Sequence, residues 1–217
     1  MTRLLFVAMC LLFSQCVSAL DDADREPVIE LLTKLKDQYS EISAYSAVMK
    51  LENFKDNREL QRQKVWYKKP GYLLIEQLGP YKEGARLAIL PDGTIKGHLG
   101  GFFSFMVAPL KPDDENLFGV TNDSAFTTDF GAIINIAFDL AKKMTKFNIS
   151  GVAVNGRNQI VLETHFHGEF ERYRLFIDSE KMLIVRLERY SDNRLAHRIS
   201  WFEVNTNIKI DDKKFKL

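Results

Sequence analysis

The alternation of apolar and polar residues predicts a mainly antiparallel β protein with two amphipathic helices. Apolar residues recur every three or four positions from Pro27 to Tyr39 and from Asp129 to Lys146, which is typical of helices with one buried face. Elsewhere the two classes alternate in ten or so short runs, separated by turn-forming pairs such as Asn155-Gly156. Because short turns join consecutive runs, we expect hairpins within one wide sheet.

The order of these elements predicts how the sheet is covered. A wide antiparallel sheet must curl or bury its apolar face, and one helix precedes the sheet while the other interrupts it. We therefore predict an α+β fold, with a curved antiparallel sheet (a half-open β-barrel) and two main helices as a lid or plug over its concave face. Either a packed core or a cavity could lie beneath this lid, and the sequence leaves both open.

The N-terminus has the pattern of a signal peptide. Arg3 is a short basic region, Leu4–Phe13 is an apolar run, and Val17–Ala19 fits a cleavage site of small residues. Ten apolar residues are too few to span a bilayer, which needs roughly 20. We therefore assign residues 1–19 to a cleaved leader and expect an exported, periplasmic protein that is soluble after cleavage.

Cleavage would change both the redox chemistry and the charge. The only cysteines, Cys10 and Cys16, lie in the leader, so the rest of the chain has no thiol. Loss of Arg3 leaves basic and acidic residues equal in number, which argues against a nucleic-acid partner. An apolar content of 46% suffices for a sizeable core, and we expect one domain over residues 20–217.

Candidate catalytic and metal-binding residues are few. Glu163, His165 and His167 alternate along one predicted strand and could gather a metal, but the opposite face of that strand is the apolar one. These three side chains are therefore better interpreted as a solvated outer face, without the surrounding shell of a metal site. Phosphate-binding loops, serine elbows and metalloprotease motifs are absent from the sequence. We expect neither an enzyme nor a cofactor.

Two segments stand out between the predicted sheet strands and the second helix. Phe102, Phe103, Phe105 and Met106 form an unusually aromatic stretch. The composition of Pro109–Phe126 then predicts an 18-residue loop, which is long enough to suggest function or mobility. Aromatic and aliphatic residues of this kind could be ordinary core or could line a cavity that suits acyl chains.

Three short motifs resemble the LolA/LolB-like superfamily of outer-membrane lipoprotein carriers, in an uncharacterised exported bacterial branch. They are Trp-x-Lys-Lys-Pro-x-x-Leu-x-Ile (Trp66–Ile75), the Pro-Asp-Gly turn at Pro91–Gly93, and Phe-Glu-Val to Asp-Asp-x-x-Phe (Phe202–Phe215). The resemblance implies a half-barrel closed by helices, with a hydrophobic cavity for lipid or lipoprotein acyl chains and without catalysis. Lys69 takes the place of an arginine that pairs with the lid in such carriers, and Lys lacks that planar fork of donors.

From the pattern and the resemblance together, we predict a carrier or binding protein for a lipid or an acylated lipoprotein. It would be a monomer, with a possible membrane partner protein, and Lys69 would lie at the cavity rim. The predicted cavity residues are Met49, Val65, Tyr67, Leu73, Ile75, Leu87, Ile89, Phe103, Phe105, Ile133, Ile134 and Ala137. The other possibility is a partner-binding envelope protein, a sensor or structural component with a dry, packed core and no lipid.

Overall fold

The computed structural model describes residues 22–55, 59–154, 156–167 and 171–217. The predicted signal peptide lies outside these ranges. The backbone of Phe103 is described, but its side chain is not.

Two helices form the lid that the sequence predicts. Helix α1 spans Asp22–Ser40, and helix α2 spans Phe130–Ala141, with Asp129 as its N-cap. The predicted start of α1 at Pro27 is wrong, because the helix begins earlier and contains Pro27. The proline removes one backbone donor, while the fully buried Val28 that follows keeps this part of α1 on the core. The predicted end of α2 at Lys146 is also wrong, because the helix ends at Ala141 and a strand begins at Lys146.

Eleven strands of the described chain form one antiparallel sheet. They are β1 Ala44–Asn53, β2 Glu59–Lys68, β3 Tyr72–Pro80, β4 Arg86–Ile89, β5 Ile95–His98, β6 Ala108–Pro109, β7 Lys146–Val154, β8 Arg157–His165, β9 Arg172–Asp178, β10 Leu183–Ser191 and β11 Arg194–Thr206. Their spatial order is β6-β5-β4-β3-β2-β1-β11-β10-β9-β8-β7. Strands β6 and β7 form free edges, so the sheet is not closed into a barrel. The predicted α+β half-open fold is confirmed.

The strand register places one set of side chains on the concave face. Tyr45, Met49 and Leu51 of β1 stand opposite Tyr67, Gln63 and Gln61 of β2, in that order. Gln63 and Val65 then stand opposite Gln77 and Ile75 of β3. Because opposed residues share a face, a concave surface of apolar side chains and three glutamines continues across these strands.

The two helices cover the concave face with a packed aromatic and aliphatic core. The ring of Phe130 in α2 lies 4.8 Å from that of Tyr45 and 5.7 Å from that of Trp201. Leu32 and Leu35 of α1 are buried in the same cluster. Beneath the helices most of the interior is therefore close-packed.

The C-terminal segment packs on the convex face. It contains the end of the third sequence motif, Phe202–Phe215. Phe215 is buried, with its ring 5.0 Å from that of Tyr72. The side chain of Asp211 accepts a 2.8 Å hydrogen bond from the Lys213 amide, and Asp212 forms an ion pair with Lys68. The motif therefore anchors the chain end to the sheet.

The remaining convex side carries paired charges. His165 Nε2 lies 3.1 Å from Glu163 Oε1, and Glu163 also pairs with Arg174, while His167 is exposed. In the ranges that the structure covers, no group of three or more metal-ligating side chains comes together. No helix among the described residues is both long and apolar enough to cross a membrane.

Candidate functional site: a cavity beneath the strap

The segment between β6 and α2, residues 110–129 and here called the strap, crosses the concave face of strands β1–β5. Between the strap and these strands lies a cavity of about 570 Å³, within the usual range of ligand pockets, roughly 300–1,000 Å³. Its sheet-side wall includes Met49, Leu51, Ile75 and Leu87. On the strap side, the wall includes Leu117, Phe118, Gly119, Ala125 and Thr128.

A few polar contacts fasten the strap to the sheet. Its Val120 amide donates a 3.0 Å hydrogen bond to Gln61 Oε1, and Lys82 Nζ donates to Asn116 Oδ1 at 3.0 Å. Arg189 of β10 forms an ion pair with Asp123. The strap is therefore held by these polar contacts together with its buried apolar residues Leu117, Val120 and Ala125.

One glycine allows the strap to approach Gln61 closely. A Cβ atom on Gly119 would stand 2.6 Å from Gln61 Oε1, which is closer than real Cβ contacts. Any larger residue here would displace either the strap or the glutamine side chain.

Three glutamines form the polar part of the cavity wall. Gln61 and Gln63 are buried at 2% and 3% exposure, and Gln77 is half-buried beside them. Gln61 Nε2 donates to Gln63 Oε1 at 2.9 Å and to Gln77 Oε1 at 3.1 Å. Gln77 Nε2 donates to Gln63 Oε1 at 3.2 Å. Buried amides need such partners, since an unsatisfied buried group is costly.

Sequence reasoning missed this glutamine network. Gln63 alternates with Val65 and Tyr67 along β2 and so shares their face, but the sequence alone predicts no role for it. The available signal was three glutamines at alternate positions of two adjoining strands, on a face that is otherwise apolar.

An exposed apolar loop, residues 99–107, adjoins the cavity. Leu99 and Met106 line the cavity and are still 53% and 57% exposed, so the cavity reaches the surface beside them. Phe102 is 83% exposed and Phe105 is 71% exposed, with their rings 6.0 Å apart in an edge-on arrangement. Phe105, a predicted cavity residue, thus lies on the surface.

A second cavity of about 170 Å³ lies between α2 and strands β8–β10. It is lined by the predicted residues Ile133 and Ala137. Asp123, Thr127 and Ile199 line both cavities, so the two are neighbours.

The other predicted cavity residues are distributed between the two coverings of the sheet. Met49, Ile75 and Leu87 line the larger cavity. The remainder lie in the packed core or against it: Val65, Tyr67, Leu73, Ile89 and Ile134.

A cluster around Asp129 ties both helices to the sheet. Tyr39 of α1 and Tyr45 of β1 donate hydrogen bonds to Asp129 Oδ1, at 2.8 and 3.1 Å. Asp129 Oδ2 accepts from the Ala132 amide at 3.2 Å and so caps α2. Burial raises the pKa of the Asp129 carboxyl, although these hydrogen bonds act to lower it. Burial also raises the pKa of the Tyr45 phenol.

Lys69, predicted at the rim, contacts the end of the lid helix. Its Nζ donates to the Ser40 carbonyl at 2.5 Å and to the Tyr39 carbonyl at 3.4 Å. A cation beside the free carbonyls of a helix C-terminus is favourable. Lys69 therefore holds α1 against the sheet as a point charge.

Comparison with known proteins shows the fold. No protein-family model matches the chain, and no curated protein matches it. A LolA superfamily protein from Nitrosomonas europaea matches at 11% identity over 86% of this chain and 97% of its own, with a TM-score of 0.37. An uncharacterized conserved protein from Thermus thermophilus matches at 11% identity over 88% and 93%, with a TM-score of 0.55.

The lipoprotein LppX from Mycobacterium tuberculosis is similar over 84% of this chain and 98% of its own, at 10% identity and a TM-score of 0.51. The chain has the fold of LppX and of the Thermus thermophilus protein. In this chain the two helices cover mostly packed core with the smaller cavity beneath α2, and the strap covers the larger cavity.

Proposed function

We propose that the chain is a carrier or binding protein for a lipid or for the acyl chain of a lipoprotein. The observation that carries this proposal is the cavity of about 570 Å³ beneath the strap, with an apolar sheet wall that reaches the surface at the apolar loop. An acyl chain buried there gains about 0.8 kcal/mol for each CH₂ removed from water. The function requires no catalysis, and the leader predicted at residues 1–19 would direct the chain to the periplasm.

In this proposal the two coverings of the sheet have different roles. The helices, tied down through Asp129 and Lys69, keep the half-barrel rigid. The strap, fastened by polar side chains, is the part that moves when the ligand enters. Met49, Ile75 and Leu87 contact the acyl chain, and Lys69 acts on the lid instead of on a head group.

The test is to fill the cavity and measure binding of a fluorescent fatty acid. Leu87→Trp places a larger side chain in the cavity wall, and we expect the affinity to fall at least tenfold. The matched control is Ile149→Trp, a change of the same size on the exposed strand β7. Equal binding by both variants and the unmodified chain would contradict the proposal.

A partner-binding envelope protein is the second candidate, and the apolar loop favours it. Five exposed apolar side chains in nine residues form a patch of the kind that marks interaction sites; they are Leu99, Phe102, Phe105, Met106 and Val107. This candidate predicts that Phe102→Ser with Phe105→Ser abolishes a stable complex in the envelope, while Leu87→Trp leaves that complex intact. If Leu87→Trp lost the complex while the double serine variant kept it, that result would favour the carrier.

A further inference from the structure

The orientation of the glutamine network is fixed by one backbone group. The Val120 N–H can only donate, so the Gln61 atom that it contacts at 3.0 Å must be the oxygen. The Gln61 nitrogen then points at Gln63 and Gln77, which must present their oxygens to it. The assignment of oxygen and nitrogen in all three amides therefore follows from the strap contact.

This orientation leaves the network with spare donors. Gln63 Oε1 accepts two hydrogen bonds, and the oxygens of Gln61 and Gln77 accept one each. The Gln63 nitrogen is 3.6 Å from Met49 Sδ, and a thioether is a weak acceptor. Within the described residues, the Gln77 nitrogen makes one hydrogen bond although an amide nitrogen has two N–H groups. Unused donors therefore remain on the Gln63 and Gln77 nitrogens, while the Gln61 and Gln77 oxygens could each accept one more hydrogen bond.

We propose that Gln63 and Gln77 recognise a carbonyl oxygen of the acyl ligand inside the cavity. Both residues line the cavity beside Met49 and Ile75, where little water competes and a hydrogen bond counts for more. Gln61 has a structural task at the strap, whereas among the described residues the hydrogen bonds of the other two amides are with each other, Gln61 and Met49. A cavity meant for hydrocarbon alone would need no donors at this place.

This inference rests on the proposed carrier function and restricts the ligand to molecules with a carbonyl group. The ligand would be an acyl chain that brings its carbonyl group into the cavity, either as the ester of an acylated lipid or lipoprotein or as a free fatty acid. Both sources offer the same acceptor to the two amides. A fatty acid and an ester differ in charge, so probes of both kinds can distinguish the two sources.

Infrared spectroscopy of carbonyl-labelled probes tests the proposal directly. Palmitic acid and its methyl ester, each labelled with ¹³C at the carbonyl, are bound to the full chain, and hexadecane serves as the probe without an acceptor. We expect the carbonyl band of a bound probe to lie at lower frequency than in an alkane solvent. Gln63→Met with Gln77→Met should return the band to its alkane position and weaken the binding of that probe about tenfold, but not the binding of hexadecane.

The control variant is Gln159→Met, which removes a glutamine from β8 outside the cavity wall and should leave the band shifted. A shift for the ester identifies an acylated lipid as the source, and a shift for the acid alone identifies a free fatty acid. A bound carbonyl with its alkane frequency in the unmodified chain would overturn the inference and leave the carrier function standing. Failure of all three probes to bind would overturn the carrier function and this inference with it.

Discussion

The concave face is covered in two ways, and the two coverings differ in chemistry. The helices rest on fully buried aromatic and aliphatic side chains such as Phe130 and Leu35. The strap buries fewer apolar side chains (Leu117, Val120 and Ala125), adds polar tethers to Gln61 and Arg189, and leaves a cavity. Apolar packing over an extended area holds an element in one place, whereas a few hydrogen bonds can be exchanged. We therefore expect the helices to be the more rigid covering and the strap to control entry into the cavity.

The largest expected effect is on the helix side. Phe130→Ala should lower the free energy of unfolding by about 3–5 kcal/mol, because it leaves a void between α2, Tyr45 and Trp201. Leu117→Ala, in the strap and beside the existing cavity, should cost about 2 kcal/mol, the low end for such changes. Urea denaturation monitored by circular dichroism measures both. Equal losses would remove the distinction between the two coverings.

The next largest effect concerns the tie between the helices and the sheet. Asp129→Ala should cost about 2–3 kcal/mol, because α2 loses its cap and the buried Tyr45 hydroxyl loses its acceptor. Asp129→Asn keeps an oxygen for the cap and should cost distinctly less. Denaturation midpoints at pH 7 would rank the two variants, and a milder effect of alanine than of asparagine would contradict this role.

The same carboxyl predicts a pH dependence. Burial raises the pKa of Asp129 in the folded chain, so the folded state binds the proton more tightly than the unfolded state. The contribution of Asp129 to stability is therefore fully present below its unfolded pKa of about 3.9 and is lost as the pH rises through the higher folded value. The difference in unfolding free energy between the unmodified chain and Asp129→Asn, measured from pH 4 upward, should shift in favour of asparagine. A difference in unfolding free energy that does not change with pH would mean that the pKa of Asp129 is not raised by folding.

A smaller effect is expected at the strap. Gln61→Leu leaves the buried Val120 amide without its acceptor and should cost about 1–2 kcal/mol. The loss should be local, so hydrogen exchange should speed up at residues 115–125 and not in α2. Gln159→Leu, outside the cavity, is the matched control. Uniform acceleration across the chain would indicate that the strap is part of the main core.

The smallest effect on stability is expected at the lid contact. Lys69→Ala removes the hydrogen bond to the Ser40 carbonyl and should cost less than about 1 kcal/mol, because that contact is exposed to water. The dissociation rate of a bound fatty-acid probe, measured by stopped flow, should rise as α1 loosens. Lys68→Ala, which breaks a contact on the convex face, should leave that rate unchanged.

The sequence predicted the fold well, because its signals are local. Alternation and turn residues predict the hairpins of the sheet, and the predicted helical pattern begins at Asp129, which is the N-cap of α2. The predicted start of α1 at Pro27 is wrong because a proline is also tolerated inside a helix near its first turn, and α1 begins at Asp22. The predicted lysine-rich end of α2 does not form, because α2 ends at Ala141 and residues from 146 onward pair with β8.

The candidate site was harder to predict, because it depends on which covering lies above each stretch of sheet. Val65 and Leu87 have the same strand pattern, yet Val65 lies in packed core and Leu87 lines the cavity. The strap has no periodic pattern, so its path over the sheet is decided by distant partners such as Gln61 and Arg189. Pattern alone therefore could not separate core from cavity.

Native mass spectrometry tests the central claim most directly. The chain would be exported to the periplasm, purified without detergent and measured intact, and any bound material would then be extracted and identified. The account predicts one acyl-bearing species per chain in the unmodified protein and in Ile149→Trp, and much less in Leu87→Trp. A bare chain mass, together with no uptake of a fluorescent fatty acid, would contradict a cargo site beneath the strap.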